Sequence, residues 1–181
     1  MSETSIPKSE EVSPVAPQAA PRNEGLERWL QELFDPHRAG VCARLRRAET
    51  PLEQAMLPEV HRLQLLLGRS STTDRHFDPR VGGIAHLMAQ LKRSPDQLPG
   101  SHKSFAKVAA EPDDGHKPHV STLRFRRLLQ KEDDELLLTL RRCLPLVGEF
   151  DRVQLMRDLY HWNDQVRRQW ATDYFSNLSE S

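Results

Sequence analysis

Apolar side chains recur along this chain at intervals of three and four, and nearly every such run opens or closes on a proline, a glycine or a short polar cap. A period near 3.6 buries one stripe of a helix, whereas a half-buried strand needs a period of two. The run GLERWLQELF from Gly25 puts Leu26, Trp29, Leu30, Leu33 and Phe34 on one stripe, with Asn23 as a candidate N-cap and Pro36 closing it. A second helix is expected over 38–47, with Val41, Cys42 and Leu45 inward, and a short turn from Pro51 holds Leu52, Met56 and Leu57. Pro58 suits the first position of a helix running through Leu67 and stopped by Gly68. Asp78 and Pro79 open another, carrying Ile84, Leu87, Met88 and Leu91, with Gly82 and Gly83 weakening its first turn.

The stretch 94–120 is rich in Pro and Gly and poor in apolar residues. A structureless loop of that length is unusual inside a domain, so a short helix is expected over 104–110, in SFAKVAA. Beyond it, Ser121 and Thr122 cap a helix with Leu123, Leu128 and Leu129. Asp133 and Asp134 start the next, which carries Leu136, Leu137, Leu140 and Leu144 and stops at Pro145. Asp151 begins a helix with Val153, Leu155, Met156, Leu159 and Tyr160, and Asn163 caps a last one with Val166, Trp170 and Phe175 on one face. No alternating strand pattern and no internal repeat interrupts this series. The expected fold is all-α: two small helical bundles, 24–110 and 121–176, joined by an irregular linker at 111–120. Residues 1–23, with Pro7, Pro14, Pro17 and Pro21 among polar residues, read as a disordered tail, because they offer too little apolar surface to offset the entropy of ordering.

Several function classes drop out. No run of about 18 apolar residues could span a bilayer. Cys42 and Cys143 stand far apart with no CxxC, as in a reduced, cytoplasmic protein. There is no P-loop, GxGxxG or GxSxG. His116 and His119 bracket Lys117 and Pro118, but zinc wants a second pair of ligands, and none follows. Both cysteines fit helix core positions better than a nucleophile's. The sequence therefore calls for no metal, no cofactor and no catalytic group.

Charge is more informative in its make-up than in its sum. The net charge is zero, yet of 26 basic residues only six are Lys and the other 20 are Arg. A guanidinium pairs with phosphate through a planar fork, where lysine is a point charge. A GC-rich genome would also favour Arg, so clustering has to decide. The arginines do cluster: Arg44, Arg46 and Arg47; Arg124, Arg126 and Arg127; Arg141 and Arg142; Arg167 and Arg168. Lys92, Arg93, Lys103 and Lys107 surround the irregular middle. Glu132, Asp133, Asp134 and Glu135 form a separate acidic run, so a neutral total can conceal a basic face and an acidic one. The competing reading for any single cluster is a solvated face of local ion pairs. Trp162, at a helix junction, is a candidate for stacking on bases, while Trp29 and Trp170 read as core.

Two stretches carry a family resemblance. RWLQEL, CARLRRAETP and LPEVHRLQLLLG place Trp29, Arg46, Arg47, Glu49, Pro51 and Gly68 as in the opening helices of the CasB family, the small subunit of type I-E CRISPR Cascade. RFRRLLQKEDDELLLTLRRCLPLVG and the ending through WNDQVRRQWATDYF, with Leu140 to Arg142 as an LRR motif, resemble its closing helices. The resemblance covers most of 24–175 and departs from the family in the proline-rich tail and the 111–119 loop. It implies a two-lobed helical protein without catalytic activity. Two copies would lie along a crRNA-bound complex beside the CasC backbone and the large subunit CasA, holding target and displaced DNA strands. By motif position it implicates Arg47, Arg141 and Arg142, then Arg124 and Arg167, then Arg80 and Lys103. Arg46, Arg127 and Arg168 join them from the clusters. The competing expectation is a helical protein-interaction subunit that touches no nucleic acid. A metal-dependent enzyme built on His116 and His119, and a stand-alone helix-turn-helix regulator, are weaker alternatives.

Overall fold

The computed structural model describes residues 20–68, 76–91, 102–113 and 116–179. Among them are ten α-helices and no strand. They are α1 (Ala20–Phe34), α2 (Ala39–Arg47), α3 (Pro51–Ala55), α4 (Pro58–Leu67), α5 (Pro79–Gln90), α6 (Phe105–Ala110), α7 (Thr122–Leu129), α8 (Asp133–Cys143), α9 (Arg152–Tyr160) and α10 (Asp164–Ser179). No helix of the described residues is long and apolar enough to cross a membrane.

Local chemistry sets most boundaries. Pro58 and Gly68 bracket α4, and Gly68 ends it at φ 122, a backbone state open to glycine. Asp78 accepts from the amide of Arg80 at the start of α5, Ser104 from Lys107 at α6, and Asp151 from Gln154 at α9. Asn163 accepts from both Gln165 and Val166 at α10.

Several expectations are corrected. Helix α1 begins at Ala20, so Asn23 lies inside it and is not its cap. Pro21 permits the earlier start, because a first-turn N–H has no partner within the helix. The rest of the expected tail lies outside the described residues. The turn expected at Pro51 is a helix, opened by a reciprocal capping box in which Thr50 Oγ1 accepts from Glu53 N and Glu53 accepts from Thr50 N. On α7 it is Phe125, not Leu123, that enters the core, and Leu123 is 60% exposed. The expected linker is hydrogen-bonded where it is described. Pro112 and Pro118 form an isolated antiparallel bridge, with Asp113 N donating to Lys117 O at 2.7 Å and His119 N to Glu111 O at 3.0 Å.

The buried side chains form one continuous cluster. Leu26, Trp29, Leu30, Val60 and Leu63 fill the space between α1 and α4, and α5 lies against α2, α3 and α4. The other side of α5 meets α8 and α9 at close range: a Cβ on Gly83 would overlap the tip of Leu137. Helix α6 packs chiefly on α10, across the expected linker. There Ser104 Oγ donates to Asp173 at 2.7 Å, and Asn177 Nδ2 donates to Lys107 O at 2.9 Å. An aromatic stack runs beneath that contact. Phe105 lies 5.2 Å from Trp170, Trp170 lies 5.0 Å edge-on to Trp162, and Tyr174 lies 3.9 Å from Phe125, nearly parallel.

Candidate nucleic-acid interface

The hairpin of α7 and α8 carries exposed arginines on both of its helices. Phe125 and Leu128 face the core from α7, and Leu136, Leu140 and Cys143 from α8. This turns Arg124 and Arg127, three residues apart, to solvent on one helix, and Arg141 and Arg142 on the other. Only residues 130–132 connect the two helices, which touch each other. The positive charge of Arg124 reaches the Cys143 thiol. All four arginines are exposed, and none has a carboxylate partner among the described residues. At the last turn of α8, Arg141 and Arg142 also sit at the negative end of a helix dipole. The neighbouring Arg126 lies over the ring of Phe175, 5.5 Å from its centre.

Other sequence candidates are engaged within the protein. Arg46 donates its Nε–H to the Ala89 carbonyl at the end of α5, while Arg47 is exposed and unpaired among the described residues. Arg44 pairs with Glu59 at 3.0 Å. Lys103 pairs with Glu111 at 2.6 Å, and its carbonyl accepts from Asp151 N. Arg168 is exposed without a carboxylate partner among the described residues. Lys92 and Arg93 lie outside the described residues.

Arg80 and Arg167 belong to a second group. Arg80 pairs with Asp133, and one of its terminal nitrogens donates to the Tyr160 carbonyl at 3.3 Å. Arg167 pairs with Glu132 at 2.7 Å, lies 3.6 Å from Asp164, and stacks over the indole of Trp162 at 5.7 Å. These side chains line an open pocket of about 470 Å³. The acidic run at 132–135 is therefore not a separate face: Glu132, Asp133 and Glu135 each reach a basic side chain, the last being Lys131 at 2.8 Å. The sequence gives no sign of this, because Asp133 and Arg80 lie 53 positions apart. Pairings of this exposed kind add little stability, about 0–1 kcal/mol each.

Trp162 is corrected as a stacking platform. It is buried, and its Nε1–H donates to Lys131 O at 3.0 Å. Cys143 is buried, which pushes its thiol up from the ordinary range and leaves it a poor nucleophile. No group of three or more His, Cys, Asp or Glu that could hold a metal ion occurs among the described residues. Sequence reading missed three exposed leucines, Leu123, Leu138 and Leu146, in and just after the same hairpin. The signal was available: three consecutive leucines at 136–138 cannot all lie on one buried stripe.

Solved structures share this fold, among them the following three. One is a chain in the crystal structure of E. coli Cascade bound to a PAM-containing dsDNA target, 22% identical with a TM-score of 0.60, covering 87% of this chain and 97% of that one. CasB from Thermus thermophilus is 21% identical with a TM-score of 0.59, covering 85% and 97%. A CRISPR-associated protein of the Cse2 family, also from Thermus thermophilus, is 22% identical with a TM-score of 0.60, covering 85% and 97%. At these identities the likeness establishes the fold. No curated protein matches the sequence. The family follows from the sequence itself: residues 41–175, from within the second helix to within the last, match the description of CRISPR-associated protein Cse2, and the chain belongs to that family.

Proposed function

We propose that this chain is a non-catalytic small subunit of a crRNA-guided type I-E Cascade complex. In that role it holds the phosphate backbones of the target strand and the displaced strand of the R-loop. The observation that carries the reading is the set of four exposed arginines, Arg124, Arg127, Arg141 and Arg142, that no carboxylate among the described residues neutralises. Exchange of a DNA duplex for a guide heteroduplex is nearly balanced in energy, so a few backbone contacts suffice to tip it. Sequence would be read by guide pairing and not by this subunit. Arg47 and Arg168 extend the set. The partners would be the CasC backbone, CasA, a second copy of this chain, the crRNA and both DNA strands, in the cytoplasm. The division into lobes at 24–110 and 121–176 goes with this reading, with one amendment: α6 lies on α10 and travels with the second lobe.

The test is a gel-shift titration of the purified protein against single-stranded DNA at two salt concentrations. Reversal of charge in Arg141→Glu/Arg142→Glu is expected to weaken binding alike for unrelated sequences. It should also flatten the salt dependence by about 0.7 in log–log slope per lost phosphate contact. Unchanged affinity and slope would remove these residues from the interface. A second reading, a protein-interaction subunit with no nucleic-acid contact of its own, is favoured by the exposed Leu123, Leu138 and Leu146 beside the same arginines. Absence of any shift with the unaltered protein would select it.

A further inference from the structure

The pocket at Arg80 and Arg167 differs from the open hairpin in that its positive charge is covered by the chain's own acids. The starts of three helices, α5, α8 and α10, open on it, through Arg80, Asp133 and Asp164 respectively. Helix starts present backbone N–H groups and a positive dipole end. At α5 and α10 side chains cap them, whereas the N-cap of α8, Glu132, makes no capping bond.

The two kinds of charge are held very differently. Arg80 is anchored on the Tyr160 carbonyl, and Arg167 lies on the indole of Trp162 with its Nε buried and unpartnered among the described residues. The side chains of the two arginines are 34% and 24% exposed. Their acids are wet: Asp133 is 65%, Glu132 69% and Asp164 80% exposed. Asp133 also sits at φ 41, a left-handed backbone state that few residues other than glycine adopt. Fixed guanidinium groups thus face loosely held carboxylates. Each arginine holds one carboxylate, and a carboxylate, with one negative charge shared over two oxygens, matches the two non-bridging oxygens of a phosphodiester.

We infer that this pocket is a seat for a phosphodiester of single-stranded nucleic acid, latched in the free protein by Glu132 and Asp133. Binding exchanges the carboxylates for phosphate oxygens while Arg80 and Arg167 stay in place. The inference rests on the nucleic-acid reading above and adds a gate to it. The acidic turn lowers affinity for stray strands, and it yields where the rest of the surface already holds the chain. The pocket is open, so a continuous backbone can cross it.

The test uses the full chain and a fluorescently labelled single-stranded oligonucleotide at low salt. Glu132→Gln/Asp133→Asn removes the competing charges, and asparagine tolerates the left-handed backbone at 133. Glu27→Gln/Glu49→Gln raises the net charge equally elsewhere and serves as control. The latch variant is expected to bind roughly five-fold more tightly than the control. That gain should vanish when Arg80→Gln/Arg167→Gln is added. A gain no larger than the control's, or one that persists without the arginines, overturns the latch. Should the arginine variant fail to fold, comparison of the latch variant with its control still decides. Inorganic phosphate at matched ionic strength is expected to leave the gain intact, and if it abolishes it the occupant is a free anion and the inference is wrong. If the hairpin reversal at Arg141 and Arg142 weakens binding while the latch variant tracks its control, only the latch falls. If the unaltered protein binds no oligonucleotide, both readings fall.

Discussion

The indole of Trp170 donates its Nε1–H to the carboxylate of Asp158 across 2.7 Å, joining α10 to α9 at the edge of the core. Burial pushes the Asp158 carboxyl up to about 6. The Trp170 bond opposes that rise, and the carboxylates of Asp173 and Asp151 add to it. The folded protein therefore takes up this proton more readily than the unfolded chain does. The resulting stabilisation is full below the ordinary aspartate range and is lost as pH climbs through about 6. Urea unfolding of Asp158→Asn, which keeps an acceptor for Trp170, is expected to lack that component between about pH 4 and 6. At pH 7.5 the variant should gain on the order of 1–2 kcal/mol, allowing for the part of the carboxyl still in water. An unchanged difference from the parent across this window would contradict the assignment.

Tyr174 is fully buried against Phe125, and its hydroxyl donates to the Val120 carbonyl at 2.5 Å. Tyr174→Phe keeps the stacked ring and leaves that carbonyl without its donor. A loss of about 1–2 kcal/mol is expected in denaturant melts. Tyr174→Leu, which removes the ring stack as well, should cost more.

Gly82 sits in α5 where a side chain has no room: a Cβ would overlap Gln54 Oε1 and come within 2.9 Å of Phe77 Cζ. Gln54 is itself buried and committed to the Ala48 carbonyl through Nε2 at 3.1 Å. Gly82→Ala gains about 1 kcal/mol of helix propensity. Overpacking is expected to outweigh it by about 1–2 kcal/mol. A melt showing net stabilisation would mean that Gln54 yields easily.

Arg46 and Arg47 are adjacent and are expected to fail in different assays. Arg46→Gln removes the donor to Ala89 O and should lower stability by about 1 kcal/mol. Arg47→Gln breaks no contact among the described residues, so its stability should stay within about 0.5 kcal/mol while oligonucleotide affinity falls. The reverse pattern would exchange their roles.

What was legible in the sequence is what neighbouring residues settle between themselves. Pro58 and Gly68 bound α4 because each acts on its own backbone. Asp151 and Asn163 mark helix starts because a cap reaches only two or three residues along. The site divides on the same line. Arg124, Arg127, Arg141 and Arg142 stay open because their own helices turn them outward. Arg46, Arg80 and Arg167 are taken up by partners 43, 53 and 35 positions away, which leave no local trace. The sequence leaves Trp162 open between core and surface for the same reason, since its partner Lys131 is contributed by the connection before α8.

The seat of α6 on α10 bears on how the chain folds. Ser104 and Asp173 are 69 positions apart, and Lys107 and Asn177 are 70 apart. During synthesis, the apolar side of α6, with Phe105, Ala106 and Val108, emerges from the ribosome long before its cover exists. At about 5–20 residues per second that interval is several seconds. Six residues are too few to hold a helix alone for that time, so α6 takes shape only when α10 arrives. The contact that ties the middle of the chain to its final helix can form only once that helix has emerged.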